Sequence, residues 1–129
     1  MAAEKTYENK IKTYLTSKDA WFIKYWGGAK YTKSGIPDIL VCLNGFFLAI
    51  EVKAPNGKPS YLQLKNIQLI RKANGIGVIL YPKDYDLFQE LCECLLQGDK
   101  TGAELLQSEI DKHLKLNNEE WRILYDKPI

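Results

Sequence analysis

Apolar residues recur at helical spacing in Tyr7, Ile11, Tyr14 and Leu15, which predicts an amphipathic helix over residues 4–17. Residues 21–26 (Trp-Phe-Ile-Lys-Tyr-Trp) read as a strand. The glycines and polar residues after them, through Lys33-Ser34-Gly35, show no period and read as a loop. Two β-rich runs, residues 36–43 and 46–53, flank Asn44-Gly45, the strongest short-range signal for a tight hairpin. Residues 54–59 (Ala-Pro-Asn-Gly-Lys-Pro) break the pattern. Ser60 opens a second helix to about residue 73, with Gly75 just past its end, and residues 76–81 form the next strand. Asp84 caps a third helix through residue 96, which Gly98 can end. Residues 103–116 form a fourth helix, and the tail beyond carries Trp121, Ile123 and Leu124.

The order α-β-β-β-α-β followed by helices implies an α/β fold, a mixed central sheet flanked by helices on both faces. A chain of 129 residues fits one domain, with residues 1–97 as its core and residues 98–129 as a helical extension packed on the same unit. Both hairpin strands are apolar at nearly every position, as expected of a sheet centre covered on two sides.

With 46% hydrophobic and 26% charged residues, the chain is too apolar to be disordered. No stretch approaches the ~18 apolar residues that span a bilayer, and the Lys-rich first twenty residues contain no apolar signal core, so no membrane association and a cytoplasmic location are expected. Cys42, Cys92 and Cys94 are odd in number and lack paired metal-ligand spacing, and read as small core residues in a reducing compartment. The net charge of +2 conceals a division. Residues 1–83 hold 13 Lys/Arg against 5 Asp/Glu (+8), and residues 84–129 hold 5 against 11 (−6). A basic first two-thirds, with Tyr25, Trp26 and Tyr31 among Lys24, Lys30 and Lys33, is the footprint of a phosphate-binding surface.

Candidate chemistry emerges from the hairpin register. If Asn44 and Gly45 are the turn, paired residues have numbers summing to 89, so Asp38 faces Glu51. Opposed side chains on one sheet face have Cβ atoms about 4.5–5.5 Å apart, and like charges there are destabilising. Either one carboxylate takes up a proton or a hard divalent cation binds between them. Lys53, two residues past Glu51, lies on the same face. A metal on Asp38 and Glu51, with the main-chain carbonyl of Val52 as a possible third ligand, beside an ammonium that positions water, is what phosphodiester hydrolysis requires. The competing reading is an ordinary ion pair at a sheet edge, which an otherwise apolar hairpin disfavours.

The Ser34-Gly35-Ile36-Pro37-Asp38 element, the Glu51-Val52-Lys53 triplet and the following Ser60-x-x-Gln63 resemble the PD-(D/E)xK nuclease superfamily. They are most similar to the virus-type replication-repair nuclease (VRR-NUC) domain, and next to archaeal Holliday-junction resolvases. The resemblance covers residues 4–82. It implies a restriction-endonuclease-like fold and hydrolysis of DNA with Mg²⁺, for which Mn²⁺ can substitute, without a small-molecule cofactor. It further implies a homodimer acting on branched DNA such as a Holliday junction. The same residues would serve a nuclease for flaps, nicks or linear duplexes, and a DNA-binding module without turnover is the alternative class. In such proteins an acidic residue on the first helix supports the metal, and Glu8 is the matching position, at the edge of the apolar stripe. Its other reading is a solvated Glu near a helix start. Gln63 matches a position near the catalytic lysine, and equally completes a Ser60-x-x-Gln63 capping box. Ser34 and Gly35 are candidates to contact DNA phosphates, as are Lys30 and Lys33, although Gly35 equally suits a turn. His113, isolated in the acidic tail, reads as a surface residue.

Overall fold

Asn44 and Gly45 both have positive φ, 51° and 82°, so the turn has the twist that matches the right-handed twist of its strands. It joins β2 (Ile39–Leu43) to β3 (Phe46–Val52), in register from Leu43 opposite Phe46 to Ile39 opposite Ile50, every pair summing to 89. The computed structural model describes residues 2–26 and 34–126. Ahead of the hairpin lie α1 (Ala2–Ser17) and β1 (Trp21–Lys24); after it come α2 (Tyr61–Lys72), β4 (Ile76–Leu80), a 3₁₀ turn (Pro82–Asp84), α3 (Tyr85–Leu96), α4 (Lys100–Asp111) and α5 (Asn118–Tyr125). The sheet runs β1-β2-β3-β4, antiparallel through β3, with β4 parallel to β3 through the α2 crossover. The chain is thus α/β with a mixed sheet.

Strand parity divides the core. Ile39, Val41, Leu43, Leu48, Ile50, Val52, Ile76, Val78 and Leu80 pack with α1, α3 and α4 through Ile11, Leu15, Phe88, Leu91 and Ile110. On the opposite face Ile79 packs with Leu64 and Ile67 of α2, Leu114, and Leu124 of α5. This second layer stops short of the β1 edge. Trp21, Ile23, Cys42 and Phe47 remain exposed on that face, so the expectation of a hairpin covered on both sides fails there, as does the expectation that Cys42 is a core residue.

Several boundaries differ from the pattern for identifiable reasons. β2 starts at Ile39 rather than residue 36, because Pro37 has no N–H to donate and the Asp38 carboxylate takes the Val52 N–H (2.8 Å) that a ladder carbonyl would otherwise accept. Asp84 precedes α3 but does not cap it. Its oxygens accept instead from the Tyr81 N–H (3.1 Å) and meet His113 Nδ1 (2.5 Å). Carbonyls at the far end of α3 are served by the hairpin turn, whose Asn44 amide donates to Leu95 and Leu96. The fourth helix ends at Asp111 rather than residue 116. α5, absent from the sequence reading, begins with an Asn117–Glu120 capping box that was visible in the sequence.

Candidate active site

The candidate residues gather at the end of the hairpin away from its turn. Leu40 pairs with Ala49 and Ile39 with Ile50, so one further step sets Asp38 against Glu51 on the same face, and Lys53 follows by alternation. Glu51 is 2% exposed and its Oε1 has no hydrogen-bond partner among the described residues. Lys53 Nζ stands 3.4 Å from its Oε2. Burial, then the nearby Asp38 carboxylate, push the Glu51 carboxyl up to about 8 against the pull of Lys53. Two carboxylates are therefore in conflict, as register alone requires, and without a cation a proton on Glu51 resolves it near neutral pH.

The Lys53 N–H bonds to Leu80 of β4, so alternation turns the amide of Val52 the other way, toward β2, where its N–H reaches Asp38. An extended residue directs its N–H and C=O to the same side, and the register extended to Val52 meets Pro37, which has no N–H to offer. The Val52 carbonyl therefore receives no ladder N–H from β2 and lies beside Asp38.

Glu8 is 3% exposed and turns toward this end of the sheet rather than into solvent. Its Oε1 lies 2.6 Å from Lys24 Nζ, which in turn stands 3.4 Å from Asp38 Oδ1, while Lys12 reaches Glu8 Oε2 at 3.1 Å. Burial alone would raise the Glu8 carboxyl; hydrogen bonds from Lys24 and Lys12 outweigh it and hold it below the usual carboxylate range. Burial likewise works against the Lys24 ammonium, and Glu8 and Asp38 more than restore it, raising its pKa. Lys24 was not among the candidates. Its signal lay in parity: it shares the α1-facing side of β1 with Phe22, a charge in an apolar row. The Glu8–Lys12 spacing was also a visible i,i+4 pair.

The remaining candidates divide. Gln63 Oε1 accepts from the Ser60 N–H (2.9 Å) and Ser60 Oγ from the Gln63 N–H (3.2 Å), so this side chain closes a capping box, and no hydrogen bond among the described residues ties it to Asp38, Glu51 or Lys53. Gly35 has φ +78°, and a Cβ there would stand 2.7 Å from the backbone of Leu62. It is needed for the close approach of the chain to α2 just before Asp38. Ser34 is exposed and its carbonyl accepts from Asn66. Lys30 and Lys33 lie outside the described residues. Trp26, 70% exposed, has the ammonium groups of Lys5 and Lys24 over its ring at 5.7 and 5.5 Å, placing an aromatic surface beside the acidic residues. His113 is exposed, as expected of a surface residue, and fully buried Asp84 holds its ring.

Comparison with protein-family models, with curated proteins and with solved structures finds no match. The residues themselves are the basis for a functional reading. No helix among the described residues is long and apolar enough to cross a membrane. Among those residues no three Asp, Glu, His or Cys side chains are grouped to hold an ion. Lys24 stands between Glu8 and Asp38, so a cation would fit between Asp38 and Glu51, with Glu8 available only if Lys24 withdraws.

Proposed function

We propose that the chain is a Mg²⁺-dependent DNA endonuclease with a restriction-endonuclease-like fold, akin to the virus-type replication-repair nuclease domain its motifs resemble, and that it acts as a homodimer on branched DNA. One observation carries the reading: Asp38, Glu51 and Lys53 share a sheet face at the open end of the hairpin, and the buried Oε1 of Glu51 lacks a partner among the described residues. An unpartnered buried carboxylate oxygen is costly. Hard oxygen donors are what Mg²⁺ or Mn²⁺ selects, so Asp38, Glu51 and the Val52 carbonyl fit such an ion. When bound, it would supply Lewis-acid polarisation of a phosphate and acidify a water.

The chain's own groups have separable tasks. Asp38 and Glu51 provide the negative charge that the ion requires, and the Val52 N–H fixes one oxygen of Asp38 at 2.8 Å. Lys53, held against Glu51, places an ammonium where the charge of a phosphoryl group develops. Trp26 and the basic first part of the chain support DNA binding, and the exposed apolar strip of Trp21, Ile23, Cys42 and Phe47 supports self-association.

Labelled four-way junction, flap and linear duplex DNA incubated with Mg²⁺ or with EDTA tests this reading. Cleavage with Mg²⁺ alone is expected, fastest on the junction, and Asp38→Asn or Lys53→Ala should slow it about 100-fold or more. Variants as active as wild type would overturn the assigned roles, and preference for flap or duplex would replace the junction with that substrate. A non-catalytic DNA-binding reading has one observation in its favour, the bridging of Glu8 and Asp38 by Lys24. It predicts DNA binding without cleavage under every metal condition.

A further inference from the structure

A cleft of about 470 Å³ opens at the carboxyl ends of the parallel strands β3 and β4, where their chain continues into residues 54–60 and 81–84. That is where α/β sheets generally take ligands. Its walls carry Lys58, Lys83, Lys115 and His113, and among the described residues no Asp or Glu lines it. A concave wall of one sign concentrates the field it presents to an anion.

Two features indicate a shaped site rather than scattered surface lysines. First, the His113 ring is oriented from behind: fully buried Asp84 holds Nδ1 at 2.5 Å, while its other oxygen is fixed by the Tyr81 N–H, so Nε2 is the ring nitrogen not spent on Asp84. Second, the Tyr81 hydroxyl donates to the Gly57 carbonyl at 2.7 Å, tying the loop that carries Lys58 to the end of β4. The same loop runs beside the proposed reaction centre, since a Cβ added at Gly57 would lie 3.3 Å from Cδ of Lys53. One residue thus lines the cleft and neighbours the stem of Lys53.

We infer that this cleft is a second phosphate-binding site, in which Lys58, Lys83 and Lys115 donate to the oxygens of a phosphate group beside the His113 ring. The group comes either from the strand held at Asp38 and Glu51 or from a free phosphate or mononucleotide. The DNA source rests on the nuclease reading; the anion chemistry does not. In the DNA case the cleft would grip a backbone phosphate close to the one at Lys53 and set the strand's register there. Phosphate contacts of this kind position nucleic acid without reading its sequence.

The test uses the full chain with inorganic phosphate, in a non-phosphate buffer at constant ionic strength, following the His113 ring and the Gly57 and Lys58 amides by NMR. Saturable shifts are expected in wild type and should be lost in a Lys58→Ala, Lys83→Ala, Lys115→Ala variant. Those side chains are all exposed, so the variant should keep the wild-type thermal midpoint. His113→Gln should weaken phosphate binding without abolishing it. Shifts absent from wild type, or unchanged in the triple variant, overturn the proposal. Junction binding in Ca²⁺ then assigns the source. If the phosphate is the DNA's, the triple variant lowers the slope of log affinity against log salt by about one for each lost phosphate contact. An unchanged slope alongside phosphate binding assigns the site to a free phosphate ligand. Absence of DNA cleavage by wild type would sink the nuclease reading and leave the phosphate result standing.

Discussion

At the scale of residues, the controlling fact is that Glu51 is buried, faces Asp38 and, among the described residues, is offset by Lys53 alone. Its pKa rises from 4.5 to about 8 on folding, so between those values the folded chain binds a proton that the unfolded chain has released. The associated stability is fully present below the unfolded pKa and lost as pH rises through the folded one. In EDTA, urea unfolding should therefore show stability falling from about pH 5 to about pH 8, by at most about 1.4 kcal/mol per pH unit. Glu51→Gln should flatten that slope, and Mg²⁺ should remove it by taking the proton's place. Persistence of the slope in Glu51→Gln would show that another group is responsible. Glu8 is shifted the opposite way, so its contribution disappears only in more acidic solution and does not confuse the window.

At the scale of elements, an ionic cluster ties α2 and β4 to the helices that follow, beside the apolar contacts of Leu64 and Ile67 with Leu114 and Leu124. Arg71 grips both oxygens of Asp111 at 2.8 and 3.0 Å and the Gly77 carbonyl at 3.0 and 2.7 Å, and the Tyr125 hydroxyl also donates to Asp111. Asp111→Ala leaves the partly buried Arg71 guanidinium without its carboxylate and should cost about 3 kcal/mol in chemical unfolding. Arg71→Met added to it should recover part of that loss. A second element-scale prediction concerns the entry to β2. Gly35→Ala places a methyl against Leu62 at a positive φ, an intrinsic cost of about 1–2 kcal/mol before the collision is counted. The loop must then shift, and with it Asp38. Cleavage should therefore fall more than stability does, a difference that assays on the folded variant and its melting curve will separate.

At the scale of the whole molecule, the second helical layer ends before the β1 edge, leaving an apolar strip through Trp21, Cys42 and Phe47. If two copies associate through it, sedimentation should give twice the chain mass, and Trp21→Glu with Phe47→Glu should halve it without unfolding the monomer. A wild type that sediments as a monomer at micromolar concentration would refute this. Self-association would also place two candidate centres on one particle, as resolving a symmetric junction requires.

The hairpin register, the opposition of Asp38 and Glu51 and the position of Lys53 were legible in the sequence, because Asn44-Gly45 admits a narrow set of turns and side chains alternate strictly along a strand. The helix that follows Ser60 was equally local in origin, set by its capping box. What tertiary structure alone decided was long-range. Lys24 joins Glu8 to Asp38 because α1 and β1 meet at the sheet end, and Asp84 abandons α3 for His113, 29 residues away. Gln63 illustrates the boundary between the two: its motif offered both a cap and a catalytic neighbour, and the fold spent its oxygen on the cap. Local periodicity encodes which side a residue takes on its own element; the partner waiting on that side is fixed only when distant elements pack together.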